Sequence, residues 1–281
     1  MSRNEMTLVV GGNGKTGRRV AERLRHRGLP LRIGSRSTQP PFDWEDRETW
    51  LPCLKGITQA YVTYYPDVCV PGALDNLQSF FAQAVNAGVR KLVFLSGRGE
   101  VEAQQAEELL KSSGANWTIL RCSFFSQNFS ENFFLDSISA GHVALPVGPV
   151  GEPFVDAEDI ADVAVAALTD DRHSGQLYEL TGPRLFSFAE AIKEIALAAG
   201  RDIRYLTIPP EAYRDALIEA HVPDNVIELL LYLFRTVLDG RNEKIADGVQ
   251  RALGSQPREF KDYVHRTAAA GVWGRSVQVT D

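Results

Sequence analysis

The residues with the clearest chemical meaning are four glycines near the amino terminus. They stand at positions 11, 12, 14 and 17, directly after the apolar run 8–10 and before a helical pattern over residues 18–25. In a turn between a strand and a helix, glycines let the backbone approach a pyrophosphate, and the N–H groups at the helix start bind the phosphates. The pattern predicts a dinucleotide-binding loop whose contacts are Gly11, Asn13, Gly14, Lys15, Thr16 and Gly17.

Two other interpretations of this loop have to be weighed. A glycine cluster also occurs in ordinary strand-to-helix turns that bind nothing. Gly14-Lys15-Thr16 resembles the end of a triphosphate-binding loop, but that motif requires a glycine at position 9, where the chain has Val9. The triphosphate interpretation is therefore disfavoured, and the turn without a ligand stays open.

The end of the next predicted strand, residues 29–34, indicates which dinucleotide the chain binds. A site that prefers NAD places a carboxylate here to accept from the ribose 2′-hydroxyl, whereas a site for NADP places an arginine here. No acidic residue occurs between positions 29 and 38, and Ser35 and Arg36 offer donors to a 2′-phosphate. The sequence predicts NADP(H) rather than NAD(H), the alternative being that Arg36 is a solvated surface residue.

Further cofactor contacts are predicted near the carboxyl ends of other strands. Asp43 and Trp44 are expected beside the adenine, although Trp44 could instead cover the edge of the core. Residues 60–66 and 91–97 read as the fourth and fifth strands, and ligands of such sheets bind at the carboxyl ends of the strands. The contacts predicted there are Tyr64, Tyr65, Ser96 and Gly97.

The composition limits the classes of function. With 281 residues, 44% of them hydrophobic, the chain suits one large domain or a main domain with a smaller annex. A formal net charge of −6 without a basic patch argues against nucleic-acid binding. No apolar run is long enough to cross a bilayer, and the start lacks the apolar core of a secretory signal. Three cysteines and five histidines without ligand spacing predict a cytoplasmic protein without a metal site.

The alternation of strand and helix patterns predicts the fold. Apolar strands and amphipathic helices alternate from residue 8 to residue 121, which is typical of a doubly wound parallel α/β sheet of the Rossmann type. We expect a dinucleotide-binding domain over residues 5–175 and a smaller α/β region that caps the substrate over residues 176–273. The apolar stretch 226–234 could serve a dimer contact, so a monomer and a homodimer both fit the sequence.

Several motifs together resemble one protein family. They are Gly11-x-x-Gly14-x-x-Gly17 and the stretches SGANWTILR at 113–121, FFSQNF at 124–129 and PFVDAEDIA at 153–161. With these motifs the chain resembles the NmrA-like, atypical short-chain dehydrogenase/reductases over nearly its whole length. The stretches GSRS at 34–37, FDW at 42–44 and the tail 257–273 are similar to the agroclavine dehydrogenase and festuclavine synthase branch of that family.

The resemblance implies a cofactor, a substrate cleft and two kinds of function. Residues 116–121 read as the sixth strand, and in this family the turn after that strand passes the nicotinamide, which would place Cys122 and Phe124 at the cofactor. Phe125, Asn128 and Phe154 would then line the substrate cleft, although the phenylalanines would be equally unsurprising as core aromatics. Members include reductases that transfer a hydride from NADP(H) to quinones, dyes and imines, and sensors that bind dinucleotides without turnover.

The usual catalytic pair of short-chain dehydrogenases has no counterpart at the expected place. Their Tyr-x-x-x-Lys pair lies on the helix after the fifth strand, and its tyrosine protonates the nascent alkoxide. The corresponding positions here hold Ala103 and Glu107, so simple ketones are not expected as substrates. An iminium ion or a quinone depends less on such an acid.

Four side chains remain as candidates for catalytic groups. Glu102 or Glu107 could favour a cationic substrate electrostatically, although both are more commonly solvated helix residues. Tyr64 and Tyr65 are the only nearby phenols. We expect hydride transfer from NADP(H) to a small conjugated, iminium or quinone-type molecule or, as the alternative, a regulatory protein that senses dinucleotides.

Overall fold

The computed structural model describes residues 5–131 and 134–274. The strands in this part of the chain are β1 (Thr7–Val10), β2 (Leu31–Gly34), β3 (Gln59–Val62), β4 (Lys91–Gly97), β5 (Asn116–Cys122), β6 (His142–Leu145), β7 (Gln176–Leu180) and β8 (Arg204–Thr207). The helices are α1 (Lys15–His26), α2 (Trp50–Leu54), α3 (Ala73–Asn86), α4 (Val101–Lys111), α5 (Leu135–Ala140), α6 (Ala157–Thr169), α7 (Phe188–Ala199), α8 (Pro210–Glu219), α9 (Asp224–Tyr232), α10 (Gly248–Leu253) and α11 (Phe260–Ala269). Among these residues, no helix combines the length and the apolar character that crossing a membrane requires.

A six-stranded sheet organises the first of two compact units. All its pairings are parallel, and the strand order is β2-β1-β3-β4-β5-β7. Every residue of β1 and β3 is buried, as expected for strands that are covered on both faces. α1 packs against α6, and α3 packs against α4. The predicted doubly wound parallel sheet is thereby confirmed.

The region between β2 and β3 differs from the expected strand count. Its described residues form the short helix α2 and no strand, so the strand at Gln59–Val62 is the third in the chain and pairs directly with β1. Counting it as the fourth strand was therefore wrong. The region folds instead around an aromatic cluster, in which the ring centroids of Phe42 and Trp44 lie 5.6 and 5.2 Å from that of Phe80 in α3.

The chain passes between its two units more than once. The first unit consists of the described residues within Met1–Cys122, Ala157–Leu180 and Ala246–Gln256. The second unit consists of those within Ser123–Asp156, Thr181–Ile245 and Pro257–Asp281. This differs from the single boundary expected near residue 175. β7 belongs to the first unit because it pairs with β5, and Gly248 of α10 joins it because an added Cβ there would lie 2.1 Å from the carbonyl oxygen of Glu179.

The second unit has a core of aromatic rings. Phe129 lies 5.2 Å from Phe154 and 5.7 Å from Phe260, and Phe154 lies 5.3 Å from Phe188. The indole N–H of Trp273 donates to the carbonyl oxygen of Phe129 at 2.8 Å, which fixes the end of the described chain to this core. β6 and β8 form a two-stranded parallel sheet in the same unit.

Candidate functional site

The glycine loop folds as a tight turn between β1 and α1. Gly11 has a φ of 68°, a conformation that favours glycine, and an added Cβ there would lie 2.3 Å from the Thr63 hydroxyl oxygen. An added Cβ on Gly17 would lie 2.2 Å from the carbonyl oxygen of Gly11. The N–H of Gly14 donates to the same oxygen at 2.8 Å. Gly11 and Gly17 are therefore required by the turn itself.

Gly14 has different surroundings. It is exposed, its φ of −80° suits any residue, and an added Cβ would meet only the carbonyl oxygen of Gly11, at 3.2 Å. It caps α1 without a side chain, and the first turn of α1, which contains Lys15 and the buried Thr16, holds no acidic residue. The N–H groups and the dipole of such a helix start favour an anion. A side chain at position 14 would require only a small shift of the Gly11 carbonyl, far less than at Gly11 or Gly17, and close approach of a pyrophosphate also favours glycine there.

A group of polar side chains connects this loop with the end of β2. Asn13 Nδ2 donates to Ser35 Oγ at 2.9 Å and to Ser37 Oγ at 3.2 Å. Arg36 is exposed, and its guanidinium carbon lies 6.0 Å from the centroid of the Tyr65 ring. Within residues 5–131 and 134–274 Arg36 takes part in no ion pair, so its charge is available to a phosphate group.

The structure places Trp44 inside the aromatic cluster. Its side chain is 7% exposed, Nε1 donates to the carbonyl oxygen of Thr63 at 3.1 Å, and the ring lies 4.7 Å from that of Tyr64. The half-buried Asp43 uses Oδ1 to accept from the N–H of Glu45 at 3.1 Å. The burial of Trp44 favours the core-edge alternative, and contact of Asp43 and Trp44 with an adenine stays a prediction.

The two candidate phenols differ in their surroundings. Tyr64 is half-buried, and its hydroxyl oxygen accepts from Asn76 Nδ2 at 3.0 Å. Tyr65 is 69% exposed and lies beside Arg36. In the described part of the chain neither hydroxyl is hydrogen-bonded to a lysine, the group that lowers the pKa of the tyrosine in ordinary short-chain dehydrogenases.

Glu107 is fully buried beneath the carboxyl ends of β4 and β5. It accepts hydrogen bonds from Ser96 Oγ at 2.6 Å and from Arg121 Nε at 2.9 Å, and it forms an ion pair with Arg121 Nη2. Arg121 Nη1 also forms an ion pair with Glu179 Oε1 at 3.1 Å. The other carboxyl oxygen of Glu179, Oε2, lies 3.4 Å from Arg98 Nε. The interpretation of Glu107 as a solvated residue is therefore wrong. Its carboxylate is also not open to a substrate, because Ser96 and Arg121 occupy it.

The sequence contained a signal for this network. Ala103, Ala106, Glu107 and Leu110 lie on one face of α4 and are all buried, so the period of the helix places an acid among core residues. Arg121 interrupts the otherwise apolar end of β5, a strand inside the sheet. A buried acid and a buried base on neighbouring elements are expected to pair, because an unpaired buried charge is costly.

A second group of ionisable side chains follows β3 and β4. Cys69 Sγ donates to Glu100 Oε2 at 3.3 Å. This sulfur atom and one carboxyl oxygen each of Asp67 and Glu100 lie within 4.8 Å of one another. Burial and the nearby carboxyl groups of Asp67 and Glu102 raise the pKa of Glu100 to about 8. Burial also raises the pKa of Asp67 and of the Cys69 thiol. The sequence does not reveal this group, because its members come from two loops and share no motif.

The residues that the family resemblance assigned to the nicotinamide and the substrate are partly core residues. Cys122 ends β5, and burial raises the pKa of its thiol. In the second unit Phe154 is 1% exposed, and Phe124 packs 5.6 Å from Phe188, which favours the core-aromatic alternative for both. Phe125 and Asn128 are half-exposed, and their contact with a substrate stays a prediction.

Comparison with known proteins identifies the family. The model of the NmrA-like family matches residues 101–267. The chain belongs to the NmrA-like family. It is 29% identical to prestalk A differentiation protein A of Dictyostelium discoideum, over 92% of this chain and 91% of the relative. It is 28% identical to an NAD(P)H azoreductase of Xenophilus azovorans, over 94% and 99%, and 28% identical to the agroclavine dehydrogenase of Claviceps fusiformis, over 92% and 95%.

Solved structures of NmrA-like and related proteins share the fold. An NADPH-dependent quinone oxidoreductase of Escherichia coli in complex with NADPH has a TM-score of 0.78 at 18% identity, covering 93% of this chain and 99% of that one. NmrA, a negative transcriptional regulator, has a TM-score of 0.68 at 13% identity, covering 95% and 96%. At this identity the likeness supports the Rossmann-type fold, and the expected family membership is confirmed by the family model and the relatives.

Proposed function

We propose that this chain is an NADP(H)-dependent oxidoreductase that transfers a hydride to a small conjugated, iminium or quinone-type acceptor. The observation that carries the proposal is the start of α1 at Gly14, which has no side-chain cap, together with the exposed Arg36 at the end of β2, which forms no ion pair with any residue that the structure describes. The relatives named as azoreductase and agroclavine dehydrogenase support this class of reaction. A cytoplasmic location and a monomer or homodimer without nucleic-acid binding belong to the same proposal.

The residues around the loop fit the dinucleotide. The N–H groups of the first turn of α1 would hold the pyrophosphate, and the missing side chain of Gly14 leaves room for it. Arg36 would bind the 2′-phosphate, and Asn13 would hold Ser35 in place beside it through the observed hydrogen bond. When bound, NADPH supplies the hydride. In this arrangement the carboxyl ends of β3 and β4, with Tyr64 and Ser96, lie on the cofactor side of the sheet.

The surroundings of Ser96 bear on the choice of acceptor. Its hydroxyl already donates to Glu107, and the sequence register predicts Ala103 and Glu107 at the helix positions of the usual catalytic pair. A group that must deliver a proton to an alkoxide is therefore missing from the place where short-chain dehydrogenases have it. An iminium or another delocalised cation needs no such proton, because hydride transfer neutralises it.

NADPH oxidation with a panel of acceptors tests the proposal. A quinone, a cationic triarylmethane dye and a cyclic iminium ion are offered at saturating NADPH, and NADPH consumption is followed by absorbance. We expect NADPH to be consumed only when both the protein and an acceptor are present, and more slowly in the Arg36→Ala variant. NADPH binding without consumption by any of these acceptors would contradict a catalytic function.

One observation favours the alternative of a dinucleotide sensor without turnover. The transcriptional regulator NmrA shares the fold, and Glu107 here takes up the hydroxyl of Ser96 instead of leaving it to a substrate. The two functions differ in their response to an acceptor. A sensor would bind NADP(H) with the same loop and would leave the cofactor unchanged in every assay.

A further inference from the structure

The side chain of Glu100 is held in a place that the backbone of β4 has left open. Gly97 ends β4, and an added Cβ on Gly97 would lie 2.3 Å from the carboxyl carbon and from both carboxyl oxygens of Glu100. Glu100 therefore turns back over the strand end, where its side chain is 8% exposed. Glu100 follows the last residue of β4 by three positions, and its carboxyl group lies over Gly97 at the carboxyl end of that strand, where ligands of parallel sheets bind.

The groups around Glu100 come from three elements. Asp67 and Cys69 lie in the loop between β3 and α3, Glu102 lies in the first turn of α4, and Cys122 ends β5. Neither Asp67 nor Glu100 forms an ion pair within the described ranges. Buried carboxyl groups without a cation nearby are protonated more readily than exposed ones, because burial and like charges disfavour the ionised form.

We propose that the carboxyl group of Glu100 is the proton donor for acceptors that require a proton together with the hydride. This inference rests on the proposed function. In the reduction of a quinone, hydride transfer adds two electrons and one proton to the acceptor and leaves an anion that takes up one further proton. The O–H bond of Glu100 breaks, a bond forms between that proton and the acceptor oxygen, and the carboxylate regains a proton from water.

The charge state of Glu100 suits this role. Its pKa of about 8, against an ordinary value of 4.5, keeps the carboxyl group protonated at neutral pH. General acids act best when their pKa lies near the working pH. The rate of quinone reduction should therefore be level below about pH 8 and fall tenfold per pH unit above it. A cationic triarylmethane dye, whose reduction consumes a hydride and no proton, should show no such fall.

Variants of Glu100 and of its neighbours separate a proton donor from a structural residue. Glu100→Gln keeps the size of the side chain and should lower quinone reduction at pH 7 by about 10²-fold. The same variant should change reduction of the cationic dye by less than threefold. Glu102→Gln removes a nearby negative charge and should move the alkaline limb of quinone reduction to lower pH. Cys69→Ala removes the donor to the carboxylate and should move that limb to higher pH.

A stability measurement reports on Glu100 without any activity. Because the pKa is higher in the folded than in the unfolded chain, the contribution of Glu100 to stability is complete below about pH 4.5 and is lost as the pH rises through about 8. The free energy of unfolding should therefore decline less steeply over this range in Glu100→Gln than in the wild type.

The outcomes distinguish this inference from the proposed function. Selective loss of quinone reduction in Glu100→Gln, with the two opposite shifts of the alkaline limb, supports the inference. A variant that reduces both acceptors as the wild type does, or loses both equally, overturns it while the proposed function stands. Loss of quinone reduction on chelation would assign Asp67, Cys69 and Glu100 to a metal and also overturn it. A wild type that binds NADPH and reduces neither acceptor overturns both.

Discussion

At the scale of single residues, we propose that Arg36 determines the choice of dinucleotide. Its guanidinium lies beside Tyr65, takes part in no ion pair in the part of the chain that the structure describes, and follows a strand end without an acid. NAD carries a hydroxyl where NADP carries a phosphate, so only NADP gains a charged partner from this arginine. The proposed proton donor Glu100, whose pKa is raised to about 8 by burial and nearby carboxyl groups, also belongs to this scale.

We predict that the wild type binds NADPH at least tenfold more tightly than NADH, and that Arg36→Ala removes this preference. A hydrogen bond to a charged group contributes about 1.5–3 kcal/mol, which corresponds to roughly 10- to 150-fold in the dissociation constant. Fluorescence titration with both cofactors measures the effect. Arg25→Ala, an exposed arginine near the other end of α1, serves as the matched control and should leave both constants unchanged. Equal affinities in the wild type would contradict the assignment of Arg36.

Substitutions at Gly14 and Gly17 should have different effects: the first should affect dinucleotide binding and the second the stability of the fold. Gly14→Val should fold normally and lose dinucleotide binding, because the position is exposed and the side chain would fill the space for the pyrophosphate. Gly17→Ala should lower the free energy of unfolding by about 1–3 kcal/mol, because its Cβ meets the backbone of Gly11. Circular dichroism and urea unfolding measure stability, and titration measures binding. A Gly14→Val protein with native affinity would show that the loop does not hold a pyrophosphate.

At the scale of elements, the network around Glu107 ties α4 to β4, β5 and β7. Ser96, Arg121 and Glu179 supply its contacts from three neighbouring strands. Glu107 thus serves an internal ion pair with Arg121 and an internal hydrogen bond with Ser96. The fold thereby gains a fixed α4, and the loop with Glu100 directly precedes that helix.

We predict that Glu107→Leu lowers the free energy of unfolding by about 1–3 kcal/mol, because Ser96 and Arg121 lose their buried acceptor while Arg121 keeps its ion pair with Glu179. The double variant Glu107→Leu/Arg121→Met should recover part of this loss, since the guanidinium is then removed together with its buried partner. Glu108→Gln, at an exposed position one residue further along α4, should change stability by less than about 0.5 kcal/mol. Urea unfolding of the four proteins measures these values. If Glu107→Leu were as stable as the wild type, the network would have no structural role.

At the scale of the whole molecule, the sequence predicted what local patterns determine. β1, β3 and β4 are apolar over most of their length because they are buried on both faces, and the glycine loop follows β1 as a continuous motif. The boundary between the units could not be predicted in this way. It depends on the pairing of β5 with β7 and on the packing of Gly248 against Glu179, contacts between residues far apart in the chain.

The candidate site shows the same limit. The loop glycines and Arg36 were found because motif spacing and strand position specify them. Glu107 was misread because its burial depends on Arg121, fourteen positions away, and Glu100 was missed because Gly97 and Asp67 shape its surroundings. For Trp44 the sequence leaves open a contact with the adenine and a place at the edge of the core, and only its packing against Phe80 and Tyr64 favours the core.

The central claim is that the chain moves a hydride from NADPH to an acceptor, and isotope transfer tests it most directly. NADPH carrying deuterium at the transferred C4 position is incubated with the protein and a cationic triarylmethane dye, and the product is analysed by mass spectrometry. We predict deuterium at the central carbon of the reduced dye, in a single turnover that Gly14→Val abolishes. Tight binding of NADPH with no deuterium in the dye, the quinone or the iminium ion would contradict the claim and assign the chain to dinucleotide sensing.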